Sequence, residues 1–223
     1  MWVVVPVKQF HLAKQRLSTV LSDDERAYLA KMLLHDVLQS ITNSPKVTHT
    51  VIVSRDPAAE EIAHAFGCEY LAEDRADLSL AVTQGAAFAK SRGATSFAMV
   101  PGDVPLVSAD EITRLINHAP RLSGFTIVPD RHGTGTNGMV VRPTNLMPFQ
   151  FGEGSFQLHT EAAKALGVTV RELPLSGLSL DIDTPNDLLS LLELAGDTAS
   201  AGYLRSIEVW DRLKEFNTSA KAL

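Results

Sequence analysis

The chain has a single cysteine, Cys68, in 223 residues. That excludes a disulfide framework and fits a reducing cytoplasm. Positive charge is also scarce: 20 Lys and Arg stand against 26 Asp and Glu, a net charge of -6. Such an acidic balance disfavours nucleic acid and anionic membrane as partners. No apolar run approaches the length of a membrane span, and Trp2-Val3-Val4-Val5-Pro6-Val7 starts without a basic leader region. A soluble cytoplasmic protein is expected. Internal repeats and low-complexity segments are missing, and no His, Cys or Ser stands in a pattern typical of an activated nucleophile.

What the sequence does carry is a core. Hydrophobic residues make up 45% of it, enough for one sizeable α/β body at this length. The β-branched run at residues 2–7 predicts a central strand. Ser22-Asp23-Asp24-Glu25 has the form of a capping box and opens a helix reaching about Ile41. Residues 47–53 predict the next strand, 57–66 a helix closed by Gly67, 68–71 a short strand, and 78–91 a helix closed by Gly93. This is the rhythm of βαβ units in a parallel sheet. A second capping box, Ser108 to Glu111, starts a helix to about His118. Strands are expected at 124–128, 139–142 and 168–173, with a helix between the last two that ends at Gly167. Thr184 as N-cap, Pro185 at the first helical position and Asp187 two residues on signal a helix to Leu194. The body is therefore expected to span residues 1–195. Residues 196–202 are small and polar, a predicted linker, and Tyr203, Ile207, Trp210 and Leu213 then recur at helical spacing. That accessory amphipathic helix must lie on the body or on a partner subunit, which leaves room for a homodimer.

The polar clusters fall where predicted strands end. Phe97-Ala98-Met99-Val100 runs into Pro101-Gly102 and then Asp103, so a buried strand delivers one carboxylate at its C-terminal edge. Ligands bind at that edge in open α/β sheets. Val104-Pro105 stiffens the turn, and a rigid acid there either holds a hard cation such as Mg²⁺ or caps the turn. Far along the chain, Asp181 and Asp183 flank Ile182 on one side of an extended segment. Paired with Asp103 they repel unless a divalent metal neutralises them, which favours the metal reading. Lys8, Lys14 and Arg16 form a cluster of cations after the first strand. In Gly133-Thr134-Gly135-Thr136-Asn137-Gly138, backbone N–H groups can converge on an anion while short side chains add donors, although a plain hairpin tip has the same composition. In Phe151-Gly152-Glu153-Gly154-Ser155-Phe156, Ser155 sits near a helix N-terminus, a place for phosphate or carboxylate or for an ordinary cap. His159 shares the helix face of Ser155 and reads as a packed or solvent-facing histidine outside the site.

Taken together, Val5-Pro6-Val7-Lys8, Ala13-Lys14-Gln15-Arg16-Leu17, Pro101-Gly102-Asp103-Val104-Pro105-Leu106, residues 129–137, residues 151–156 and residues 181–187 give the chain its resemblance. It resembles the guanylyltransferase family of coenzyme F420 biosynthesis, over residues 2–194 in unbroken order. The resemblance implies a Rossmann-like α/β fold with a mixed sheet, of the nucleotide-diphospho-sugar transferase (GT-A) type. It implies GTP as co-substrate, Mg²⁺ as cofactor, and as acceptor phosphoenolpyruvate, 2-phospho-L-lactate or 3-phospho-D-glycerate. On matching positions, Asp103, Asp181 and Asp183 hold Mg²⁺. Lys8, Lys14 and Arg16 take the triphosphate, and Thr136 or Asn137, with Gly152 and Ser155, receive the phosphorylated acid. The chain departs from the family pattern at Leu78-Ser79, where a Leu-Asn pair is expected, and in its extension beyond Leu194.

The chemistry agrees with these residue types. A phosphate monoester is mostly dianionic at neutral pH, its second pKa being about 6, so an acceptor phosphate attacks without a general base. The enzyme's work is then to bring two anions together, align them, and stabilise departing pyrophosphate. A GTP-dependent guanylyltransferase acting on a small phosphorylated carboxylic acid is predicted, with phosphoenolpyruvate slightly preferred. Two rivals fit less well. Another sugar or cofactor nucleotidyltransferase would carry a Gly-x-Gly-x-Arg run in the first loop, and a silent nucleotide-binding scaffold would have no use for the three aspartates.

Overall fold

The computed structural model describes residues 1–220. Strands β1 (Trp2–Val7), β2 (His49–Ser54), β3 (Glu69–Ala72), β4 (Phe97–Met99), β5 (Gly124–Pro129), β6 (Thr136–Arg142) and β7 (Thr169–Glu172) form one sheet in the order β3-β2-β1-β4-β6-β5-β7. The apolar β1 lies inside it, with β2 and β4 parallel on either side. The parallel rhythm stops at β4, because β6 runs antiparallel to both β4 and β5. Only residues 130–135 join β5 to β6, too few for a parallel crossover, which takes about a dozen residues or more. The sheet is thus mixed, as the resemblance implies, and not the parallel sheet that the βαβ rhythm suggests.

The reversal places function. Since β6 is antiparallel to β4, it begins at the edge where β4 ends, so Thr136 and Asn137 open a strand at the edge that carries Asp103. The expected glycine-rich hairpin tip is correspondingly shorter, and the strand starts three residues before the predicted Met139.

Helices α1 (Asp23–Thr42), α2 (Pro57–Ala65), α3 (Leu78–Ser91), α4 (Ala109–Asn117) and α5 (Ser155–Ala165) cover the two faces. Alternation along β1 decides which: Val3 and Val5 pack with Leu34 of α1, Ala59 of α2 and Ile112 of α4, whereas Trp2 and Val4 pack with Ala81 and Val82 of α3 and Ala163 of α5. Helix α3 crosses β1 at Gly85, where a Cβ would lie 2.4 Å from Val4 Cγ1. Both predicted capping boxes form: Glu25 Oε2 accepts the Ser22 N–H at 2.8 Å, and Glu111 Oε2 accepts the Ser108 N–H at 3.3 Å.

The C-terminal part differs from expectation. After α6 (Pro185–Leu194), the predicted linker already contains the start of α7 (Ala199–Ser206), and α8 (Val209–Ala220) follows a break at Glu208, whose φ is 53°. Two helices therefore replace one. Asp36 of α1 caps α7, its carboxylate accepting the N–H groups of Ala199 at 2.7 Å and Ser200 at 2.9 Å. Leu204, Val209 and Leu213 pack against Leu29 and Leu33 of α1 and Leu188 and Leu191 of α6, so this apolar face lies on the body. Among the described residues no helix is long and apolar enough to cross a membrane.

Candidate active site

The C-terminal ends of β1 and β4 and the start of β6 open into a cleft of about 630 Å³, and every residue predicted for the site borders it. That volume suits a nucleotide-sized ligand.

At its centre is Lys14. Its backbone adopts the left-handed conformation, φ 56° and ψ 35°, between two short 3-10 turns, a geometry uncommon for a residue with a side chain. The bend turns the side chain inward. The buried ammonium donates to Asp103 Oδ2 at 2.6 Å and to Asp183 Oδ1 at 2.9 Å. Burial pulls the Lys14 pKa down, but Asp103 and then Asp183 more than offset this and hold it above the usual lysine range. For Asp183 burial raises the pKa, and the Lys14 charge, helped by Lys8 and Arg16, leaves it below the usual carboxylate range.

Backbone contacts explain how acids so distant in sequence meet. The Ile182 N–H donates to the Asp103 carbonyl at 3.2 Å, and Ile182 itself is fully buried, so Asp181 and Asp183 both turn to the cleft. Asp187 fixes the following turn by accepting from the N–H groups of Asp183 and Thr184, at 2.9 and 2.7 Å, and from the Thr184 hydroxyl. Arg131 pairs with Asp187 in turn. Asp181 differs from Asp183: it accepts from Asn137 Nδ2 at 3.0 Å, and burial, reinforced by its acidic neighbours, raises its pKa.

The residues present fit a divalent cation in a particular way. Among the described residues no group of three or more His, Cys, Asp or Glu side chains is placed to hold a metal. The predicted three-aspartate cage is therefore not preassembled: Asp103 and Asp183 meet on Lys14, and Asp181 accepts from Asn137. Asp103 and Asp183, however, converge on one positive charge. Mg²⁺ is commonly held by one or two carboxylates together with substrate phosphates, and two converging carboxylates facing a nucleotide-sized cleft meet that requirement.

Around Thr136 the cleft is lined by neutral groups beside one carboxylate, Asp130. The loop between β5 and β6 is organised by its own acid: the Asp130 carboxylate accepts the N–H groups of His132 at 3.1 Å and Thr134 at 2.8 Å. Those donors are not free to converge on an external anion, which corrects that part of the loop reading. The Thr136 hydroxyl lies 3.0 Å from His159 Nδ1, and His159 Nε2 accepts the Gln150 N–H at 2.9 Å. Ser155 is the first residue of α5 and almost wholly buried, with Gly154 in the left-handed conformation as N-cap, so Ser155 is not the cap. Gly152, at φ 120°, turns the chain toward it.

Some lining residues escape sequence reasoning. Arg55 follows β2 directly, at the same sheet edge, and the rule that located Asp103 locates it too. Leu12 and Leu78 supply apolar walls that are 57% and 37% exposed. Ser79, where the resemblance expects asparagine, accepts the Phe151 N–H at 2.9 Å and ties α3 to the 151–155 loop.

The fold is the one found in solved nucleotide-diphospho-sugar transferases and cytidylyltransferases. A crystal structure from Desulfovibrio desulfuricans G20, provisionally named a nucleotide-diphospho-sugar transferase, superposes with a TM-score of 0.79 at 17% identity, over 96% of this chain and 97% of that one. The profile of the family described as "Guanylyl transferase CofC like" matches residues 1–221, and the chain belongs to that family. The phosphoenolpyruvate guanylyltransferase of Sphaerobacter thermophilus is 39% identical over 193 residues, 86% of this chain and 91% of the relative. The 2-phospho-L-lactate guanylyltransferase of Methanothermobacter thermautotrophicus is 32% identical over 208 residues, 92% of this chain and 89% of the relative.

Proposed function

We propose that this guanylyltransferase moves GMP from GTP to phosphoenolpyruvate, releasing pyrophosphate, as a step of coenzyme F420 biosynthesis. The relative named for phosphoenolpyruvate is more similar than the one named for phospholactate, which supports the choice of acceptor. The observation that carries the site assignment is the convergence of Asp103 and Asp183 on Lys14 at the centre of the cleft.

In this reading Asp103, Asp181 and Asp183 would hold Mg²⁺, which would supply charge neutralisation to the triphosphate. Lys8, Lys14 and Arg16 bind the β- and γ-phosphates. Thr136, Gly152 and Ser155 receive the acceptor, and Asn137 serves to hold Asp181. An acceptor phosphate oxygen attacks the α-phosphorus in line. The new P–O bond forms as the bond to the β-phosphate oxygen breaks, and Lys8, Lys14 and Arg16 bind the departing pyrophosphate. No side chain need take a proton. Residues 1–195 carry all of these groups, and α7 and α8 brace α1 as an accessory part.

Pyrophosphate release tests the proposal, with GTP and ATP each offered against phosphoenolpyruvate, 2-phospho-L-lactate and 3-phospho-D-glycerate in the presence of Mg²⁺. Release with GTP and phosphoenolpyruvate is expected. Preference for another acceptor would correct the substrate, and no release with any of them would overturn the assignment.

A further inference from the structure

His159 is fully buried on α5 and does not border the cleft, yet it is bonded on both ring nitrogens. Phe125, Phe149 and Phe151 surround it edge-on, with ring centroids 6.3, 6.4 and 4.8 Å away. The two bonds are not interchangeable. A backbone N–H can only donate, so Nε2, 2.9 Å from the Gln150 nitrogen, must offer its lone pair. A neutral ring then carries its proton on Nδ1, and that proton points at the Thr136 oxygen 3.0 Å away. The apolar surroundings keep the ring neutral: burial pushes its pKa down to about 4.

We infer that His159 is a positioning residue for the acceptor, fixing the Thr136 hydroxyl as a hydrogen-bond donor into the cleft. Because Thr136 Oγ1 accepts from Nδ1–H, its own proton is turned away from the ring, toward the cleft that Thr136 borders. Were Nδ1 unprotonated, the ring would compete with the acceptor for the hydroxyl's one proton. Locked by His159, it presents the proton, which suits a carboxylate or phosphate oxygen and disfavours a donor in that place. The same ring holds both walls of this end of the cleft, Thr136 on β6 and the 150–152 loop, so the donor and Gly152 are positioned by one group. The inference rests on the reading of Thr136 as an acceptor contact.

Long-range ¹H–¹⁵N spectra of the wild-type protein at neutral pH report the tautomer directly, and a neutral ring protonated on Nδ1 is expected. In kinetics, His159→Phe keeps an aromatic ring among the three phenylalanines but removes the donor. It should raise the KM for the acceptor about tenfold and leave the KM for GTP within about twofold, the size of one hydrogen bond. Thr136→Ser should behave nearly as wild type. Thr136→Val should show the acceptor defect, and adding His159→Phe to it should change the acceptor KM little further. A ring protonated on Nε2, or charged, would overturn the inference even with Thr136→Val defective, as would fully additive effects in the double variant. A Thr136→Val enzyme with normal acceptor KM would overturn the acceptor-pocket reading, and the inference with it. Should His159→Phe fail to fold, the spectra and the Thr136 variants still decide.

Discussion

Lys14, which borders the cleft, and His159, which lies behind its Thr136 wall, are both buried nitrogen bases with two hydrogen bonds each, and the protein treats them in opposite ways. Lys14 is kept charged because two carboxylates face it. His159 is kept neutral because a hydroxyl, a backbone N–H and aromatic rings face it. Burial lowers the pKa of both, so the sign of the outcome is set by the partners alone. A charged centre tolerates exchange of one cation for another and suits phosphates. A neutral, directional centre cannot attract an anion over distance but can orient a donor within ångströms. In the proposed reading, the cleft separates the task of neutralising charge from the task of holding the acceptor in one pose.

The largest effect should come from breaking the charged end. Asp103→Ala removes one of the two carboxylates facing Lys14 and should lower kcat on the order of 10³-fold. The fold should survive, because Asp183 still pairs with the ammonium. Steady-state kinetics beside a urea unfolding curve test this, and near-normal turnover with Mg²⁺ present would remove the charged centre from the mechanism.

The neutral end should show itself in stability against pH. The folded His159 pKa is about 4 against 6.5 for an ordinary histidine. Between those values the unfolded chain takes up a proton that the folded protein refuses, so stability is complete above about pH 6.5 and falls as pH drops toward 4. The loss from this group is about 3 kcal/mol. His159→Phe has no proton to take up, so its stability should fall less steeply over the same range, by up to one proton's slope. Equal slopes in paired unfolding curves at pH 7, 6, 5 and 4 would show that the buried ring titrates normally.

A third, smaller effect separates cleft carboxylates from a structural one. Asp36 is as buried as many active-site acids, but its bonds go to the start of α7. Asp36→Asn should cost about 2 kcal/mol of stability, a lost charge-assisted cap, and leave both KM values unchanged. A change in KM would mean that α7 and α8 reach the cleft through α1.

The difference between the two ends also governs what could be seen without coordinates. The carboxylates of the charged end are legible because they sit next to a strand end or a helix start, and such positions are marked locally by Pro101-Gly102 before Asp103 and by Thr184-Pro185 after Asp183. The helix at Leu78–Ser91 agrees with its predicted bounds for the same reason, with Gly93 just past its end. The neutral end is made by contacts across the sequence. His159 and Thr136 lie 23 residues apart and meet only because α5 packs against the sheet that contains β6. The start of β6 is hidden because Gly-Thr-Asn-Gly has turn composition and is held extended by its neighbours. Helix α7 is hidden because Ala, Ser and Gly give no apolar period, while its local cap, Thr198, is reinforced by Asp36, 163 residues from Ala199. Lys14 bridging two aspartates was not foreseeable either, since nothing local reports a left-handed lysine.

The smallest effect sharpens the boundary between the two ends. Ser155 opens α5 four residues before His159, and it borders the cleft where His159 does not. Ser155→Ala removes a hydroxyl from the acceptor end and leaves the Thr136–His159 bond and the Lys14 centre in place. Losing one hydrogen bond to an anion should raise the KM for the acceptor about five- to tenfold, roughly 1 kcal/mol. The KM for GTP and the pH dependence of stability should stay as in the wild type, because neither depends on that hydroxyl. If Ser155→Ala shifted both KM values equally, the serine would belong to a wall shared by both substrates, and the division into a charged end and a neutral end would have to move toward α5.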